Sequence, residues 1–208
     1  MKKNHILALS LAAALVAACS GMQHSNDAEY SQKALAMMKA SFKERGQAKL
    51  DRLDQDEMQK LCSQYEGKPL PKDVADKVEK AQQALIKYPA DGNLMGDFKS
   101  GERIAQSGQG KQFNDDPSRP AGANCYACHQ LSKAELSFGT IGPSLYHFGK
   151  IRGYTPEMQK YAYSKVYNSQ AFSACSSMPR FGHSQILTEA QIKDVVALLM
   201  DPKSPINQ

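Results

Sequence analysis

Cys125-Tyr126-Ala127-Cys128-His129 decides how this chain is read. Two thiols three positions apart can form thioethers to both vinyl groups of one haem. The adjacent imidazole then lies beneath the iron, so attachment and proximal ligation are set together. Structural zinc sites and thioredoxin-like redox sites also use Cys-x-x-Cys. Zinc wants a second ligand pair at close spacing, which the sequence lacks, and neither alternative accounts for the immediate histidine. The segment therefore predicts one covalent haem c held by Cys125 and Cys128, with His129 as an axial ligand.

Working outward, a low-spin electron carrier needs a sixth ligand. The candidates are Met178, His147 and His183, while His24 lies too near the start of the chain. Met178 sits in Ser176-Ser177-Met178-Pro179-Arg180-Phe181-Gly182, an irregular stretch in which a methionine has no helix face to fill. A thioether also favours ferrous iron more than a second imidazole does. Met178 is the preferred ligand, the alternative being an ordinary packing methionine, and the two histidines read as ordinary polar residues. The second ring nitrogen of His129 needs a partner to fix its plane. Gly139-Thr140-Ile141-Gly142-Pro143-Ser144-Leu145 could supply a carbonyl, with Pro143 and two glycines bringing backbone to the haem edge, or could be a simple turn. Arg152, Tyr167 and Asn168 are candidates for the haem propionates, and each could equally be a surface or packing residue.

The start of the 208-residue chain does not read as part of the fold. Lys2 and Lys3 precede an apolar stretch from Ile6 to Ala18, too short to span a bilayer, which reads as an export signal over 1–18. Its end, Leu15-Val16-Ala17-Ala18-Cys19-Ser20, resembles a lipoprotein cleavage site and predicts lipidation at Cys19, with ordinary cleavage after Ala18 as the alternative. Removing 1–18 lowers the formal charge from +5 to +3, a mild imbalance that is no nucleic-acid signature. Contact with a membrane is expected only through the lipid. Lipid and haem would use Cys19, Cys125 and Cys128, leaving Cys62 and Cys175, which could pair in an oxidising compartment or stay as separate buried thiols.

Residues 19–90 read as a tether followed by a helical extension, and 91–208 as the haem domain. Glu29 to Gln64 looks helical, with Ala34, Leu35, Met38 and Phe42 on one face and a break at Gly46. Pro71 to Tyr88 predicts another helix with Val74, Val78, Ala81, Leu85 and Ile86 on its apolar side. Gly96 to Ser107 is a short amphipathic pattern, and 108–123 is polar and loop-like. Thr188-Glu189-Ala190-Gln191 is a capping box before Ile192, Val195, Val196 and Leu199, with Pro202 and Pro205 ending that helix. Nothing reads as a run of strands, so the expected class is all-α.

The C-terminal half, roughly 96–207, resembles the class I cytochromes c and within them the SoxX family, the monohaem subunits of SoxAX cytochromes in bacterial thiosulfate oxidation. The stretches that carry the resemblance are Asn124 to His129, Gly139 to Leu145, Tyr167-Asn168-Ser169-Gln170-Ala171-Phe172, Ala174 to Gly182, and Ile192 to Asn207. Tyr167 to Gly182 is the discriminating part. The resemblance implies an all-helical class I cytochrome c fold with His129 and Met178 on the iron. It also implies a SoxA partner bearing the reactive haem, a SoxYZ carrier cysteine to which thiosulfate is oxidatively joined, and an acceptor c-type cytochrome. On that reading the chain is the redox subunit of an L-cysteine S-thiosulfotransferase and does no sulfur chemistry itself. The competing readings are a stand-alone, membrane-tethered carrier for an oxidase or reductase, and a gas-binding or peroxidatic haem protein.

Overall fold

A computed structural model describes residues 28–65 and 67–208. The export signal and Cys19 lie outside the described residues. Two compact units are present, one containing residues 28–45 and 49–54, the other residues 46–48 and 55–208. Seven α-helices and no β-strand occur among the described residues.

The first unit is built on α1, residues 28–41, followed by a 3-10 turn at Leu50–Leu53. Glu29 and Lys33 pair one turn apart at 2.6 Å, and Lys39 reaches Asp54 at 2.8 Å. The helical region expected from Glu29 to Gln64, with its break at Gly46, is several elements. Gly46 has φ +54°, and a Cβ there would lie 2.1 Å from the carbonyl oxygen of Phe113, so the backbone itself forbids helical continuation. The apolar face of α1 exists as the pattern predicts but is exposed throughout.

In the second unit, α2 (Glu57–Gln64) begins at a capping box in which Asp56 accepts from the Gln59 amide at 2.8 Å and Gln59 accepts from the Asp56 amide at 2.9 Å. Helix α3 spans Lys72–Gln83, shorter than the predicted Pro71 to Tyr88. Ala81 and Leu85 are exposed, and the buried residue of α3 is Gln82. Val74, Val78 and Ile86 of the predicted apolar side are half-buried, Ile86 against the core, and polar groups complete the docking. Asn168 donates its amide to the Gln82 carbonyl and side-chain oxygen at 3.2 and 3.0 Å, and Gln83 donates to the Ala171 carbonyl at 2.8 Å. Just beyond α3, Tyr163 donates its hydroxyl to the Lys87 carbonyl, and Tyr88 pairs with the Ser164 hydroxyl. Residues 55–90 therefore pack inside the second unit, and the 90/91 boundary drawn from Pro89-Ala90-Asp91-Gly92 is only a turn.

Helix α4 (Phe98–Ser107) is capped by Asp97, whose carboxylate accepts from the amides of Lys99 and Ser100. It crosses α7 (Glu189–Met200) closely, because a Cβ on Gly101 would sit 2.1 Å from the Asp194 carbonyl oxygen. Helix α7 starts at the predicted Thr188–Gln191 capping box and buries Ile192, Val195, Val196, Leu198, Leu199 and Met200. A helix buried on most of its circumference is a core element. Asn207 ties its end down, donating to the carbonyls of Leu199 and Asp201 while accepting from the amides of Gly149 and Lys150 at the start of α5 (Phe148–Arg152). Helix α6 (Pro156–Tyr167) completes the unit, starting at the Thr155 cap with proline in its first turn. Helices α5 and α6 were not predicted from the apolar pattern.

Candidate haem site

The Cys-x-x-Cys-His segment folds as a 3-10 turn, Cys125–Ala127, whose start is capped by Asn124 accepting from the Ala127 amide at 3.2 Å. The amides of Cys128 and His129 both donate to the Cys125 carbonyl, at 3.1 and 2.9 Å. This winding brings Cys125, Cys128 and His129 onto one wall of a cavity of about 660 Å³. Among the described residues, Cys125 and Cys128 are the free cysteines. Burial, and then the neighbouring Cys128, push the Cys125 thiol up to about 12. A thioredoxin-like site lowers a thiol's pKa to make a thiolate, so the environment here disfavours that reading. No cluster of three or more metal-holding side chains of the His, Cys, Asp or Glu type occurs among the described residues.

The back of His129 is held by the Gly139–Leu145 segment. Its Nδ1–H donates to the Pro143 carbonyl at 2.7 Å, which leaves Nε2 as the lone-pair nitrogen. Gly139 and Gly142 donate to the carbonyls of Tyr126 and Cys128, each at 2.8 Å, lacing the segment to the motif. A Cβ on Gly142 would lie 2.1 Å from the imidazole Cε1, and one on Gly139 would lie 1.8 Å from the Ala127 carbonyl oxygen. Only glycine allows the backbone so close to the ring.

Met178 lines the same cavity. Its carbonyl accepts from the Ser169 hydroxyl at 2.6 Å and its amide donates to the Ser176 hydroxyl at 3.2 Å. Further ties hold the loop around it. Cys175 is joined to Cys62 of α2 by a disulfide with a Cα–Cα separation of 5.5 Å, the Ala174 amide donates to Glu79 of α3 at 3.1 Å, and Arg180 pairs with Asp56 at the start of α2. The disulfide crosses 113 residues of chain, and such a cross-link stabilises by about 4–5 kcal/mol through the unfolded state. Peptide mapping under non-reducing conditions should recover Cys62 and Cys175 as one linked pair. The Cys62→Ser, Cys175→Ser chain should unfold at clearly lower denaturant; two freely alkylated thiols in the unchanged chain would contradict the pairing.

Burial pushes the Asp56 carboxyl up, but the Gln59 amide and the Arg180 guanidinium together outweigh it and hold the group below its usual range. A carboxyl depressed in the folded state contributes stability above its unfolded pKa of about 3.9, and that contribution disappears as pH falls through the lower, folded value. Stability measured by chemical denaturation should thus fall between roughly pH 4 and lower values, and Asp56→Asn should flatten that part of the curve. An identical acid limb in the variant would remove Asp56 from this role.

The structure separates the other candidates. Arg152 lines the cavity, with its guanidinium 5.0 Å from the Phe148 ring centroid. Tyr167 and Asn168 do not line it. Tyr167 packs where a Cβ on Gly182 would strike its ring at 2.3 Å, and Asn168 is fully buried against Gln82. Neither His147 nor His183 lines the cavity; His147 bonds the Gln208 carbonyl instead. Helix α6 supplies what the sequence reading missed: Tyr161, Ala162, Lys165 and Val166 all face the cavity. The Thr155-Pro156 start was the available signal. Leu131, Phe148, Phe181, Leu187, Val195 and Leu198 make further walls apolar. Two free thiols, an imidazole and a thioether on an apolar cavity, with Arg152 and Lys165 as cationic side chains in its lining, fit a macrocycle that is apolar at its centre and carries two carboxylates.

Residues 108–202 match the cytochrome c family. The chain carries a cytochrome c domain over these residues. It therefore carries covalent haem c on an all-helical fold, and electron transfer follows from that domain. The chain is also 37% identical to an uncharacterized lipoprotein of Aquifex aeolicus (strain VF5), over 214 residues that cover the whole of both chains. The cavity described above falls largely within the matched residues of this cytochrome c domain, while α2 and α3 precede it.

Proposed function

We propose that this cytochrome c is the redox subunit of a SoxAX-type L-cysteine S-thiosulfotransferase, held outside the cytoplasm by lipid at Cys19. The observation that carries the reading is the loop from Tyr167 to Gly182, whose sequence resembles SoxX and which brings Met178 to the cavity. Among the described residues every cysteine has a structural role, two in the disulfide and two on the cavity, so no thiolate is left to attack sulfur. Sulfur chemistry is accordingly assigned to a SoxA-like partner. There, thiosulfate and a SoxYZ carrier thiol join through a new S–S bond as one proton and two electrons leave, the electrons passing singly through this chain to an acceptor c-type cytochrome.

The bound haem would supply reversible one-electron exchange. Cys125 and Cys128 would hold it, His129 and Met178 would ligate it, and the Pro143 carbonyl would keep His129 in plane and basic. The apolar walls would exclude water and favour the less charged, reduced state. For the anchor, the relative's description as a lipoprotein supports the reading of Cys19. No helix among the described residues is long and apolar enough to cross a membrane.

Purification from the native host should recover a larger haem subunit with this chain, and the pair should show thiosulfate-dependent haem reduction when carrier is added. The isolated chain should exchange electrons yet fail to couple thiosulfate to the carrier. Coupling by the isolated chain at the rate of the complex would overturn the assignment of catalysis to the partner. Isolation without a partner, with fast reduction by an oxidase or reductase chain, would establish the stand-alone carrier instead.

A further inference from the structure

Helix α1 has a face that the electron-transfer reading does not use. At 100° per residue, Tyr30, Ala34, Leu35, Met37 and Met38, with Phe42 just beyond the helix, fall within an arc of about 160°. Phe42 continues the same turn, its amide donating to the Met38 carbonyl at 2.9 Å. Lys33, Lys39 and Gln32 occupy the opposite arc, and Lys33 is paired with Glu29 while Lys39 is paired with Asp54. The apolar side chains are exposed, Met37 by 70% and Tyr30 by 65%. Separate apolar residues on a surface need no explanation, but six on one arc of a helix, interrupted there by Ser31 and Ser41 alone, do.

Where this helix stands along the chain narrows what can cover the stripe. Eight residues, and so nine backbone steps, separate Cys19 from the first helical residue, at position 28. Fully extended, they reach about 30 Å. A lipid on Cys19 would confine α1 to that distance from a bilayer. Fourteen helical residues measure about 21 Å, less than the roughly 30 Å of a hydrocarbon core, so the helix can lie on a membrane but not cross it. Residues 28–45 carry four cations against two acids, which suits anionic headgroups. The polar arc opposite Met37 would face water and headgroups while the Tyr30–Met37–Met38 side enters the acyl boundary.

We propose that α1 lies in the interface of an anionic bilayer as a second membrane contact beside Cys19. The proposal rests on the lipid-anchored reading of Cys19, and the two are separable by experiment. The haem-loaded Cys19→Ser chain, exported without acyl chains, is mixed with vesicles of phosphatidylcholine and phosphatidylglycerol and sedimented. It should bind these vesicles, more weakly at high salt or without phosphatidylglycerol. Met37→Glu with Met38→Glu should lower the partition coefficient about tenfold or more. The milder Tyr30→Ser, Phe42→Ser chain should lower it less. Circular dichroism and the haem spectrum, unchanged in both, show that folding is intact.

Absence of vesicle binding, or equal binding by all three chains, overturns the proposal. So does loss of a co-purifying subunit in the Met37→Glu, Met38→Glu chain without a change in vesicle partition, because the face would then hold protein. Intact-mass analysis of the unaltered chain tests the anchor independently: a bare Cys19 defeats the lipidation reading, and the vesicle measurement still judges α1.

Discussion

A chain carrying Cys125→Ala and Cys128→Ala should release all of its haem on acid–acetone extraction and lose its folded core, while the unchanged chain keeps its haem. The two thiols stand on the cavity wall beside His129, and no other free cysteine occurs among the described residues to take their place. His129 and Met178 alone would provide only reversible coordination. The structural cost follows from the cavity. Without the haem, the mostly apolar walls of this cleft of about 660 Å³ would face water instead of a packed macrocycle, a loss to be set against the roughly 5–15 kcal/mol that stabilises a whole domain. The substituted chain should therefore keep helical far-ultraviolet dichroism, lose its near-ultraviolet signal and bind a hydrophobic dye. Complete extraction of haem from the unchanged chain, or a cooperative unfolding transition in the substituted one, would refute this account.

Met178→Ala should open the site to carbon monoxide and cyanide, abolish the methionine–iron charge-transfer band and lower the potential. The shift should be on the order of a few tenths of a volt, within the ~0.8 V that axial ligation spans. Met178→His should keep the iron six-coordinate with a lowered potential, because imidazole favours ferric iron more than a thioether does. The backbone on either side of Met178 is fixed by Ser169 and Ser176, so alanine should remove the sulfur without releasing the loop. Thermal stability should change much less than the potential. An unchanged spectrum and potential in both variants would remove Met178 from the ligand set.

The parts of the site that were legible are those written in contiguous residues. Cys125 to His129 is a local motif, Gly139 to Leu145 carries its two close-approach glycines in one stretch, and the α7 start is a capping box read directly as Thr188 to Gln191. What escaped depends on residues that meet only after folding. Helix α6 buries Ala162, Tyr163, Ser164 and Val166, a mixture of polar and aromatic residues with no clean apolar stripe. Tertiary hydrogen bonds compensate the buried polar groups, as the Tyr88–Ser164 pair shows. Asn168 reads equally as a propionate contact or a packing residue, and its partner, Gln82, lies 86 residues away. The same long-range bonds draw α3 into the second unit, which no composition shift near Pro89 could reveal.

The Cys62–Cys175 link makes maturation a contest between two oxidative fates. In the extracytoplasmic compartment proposed above, four thiols meet one oxidant, and Cys125 and Cys128 are near neighbours in any unfolded chain, whereas 113 residues separate Cys62 from Cys175. Short loops close more readily than long ones, so the local pair is the kinetically favoured wrong product. Forming the native bridge requires α2 and the methionine loop to meet across that length of chain. Its presence is therefore a chemical record that the chain finished wrapping, written by the same oxidant that would disable the haem thiols of a slower molecule.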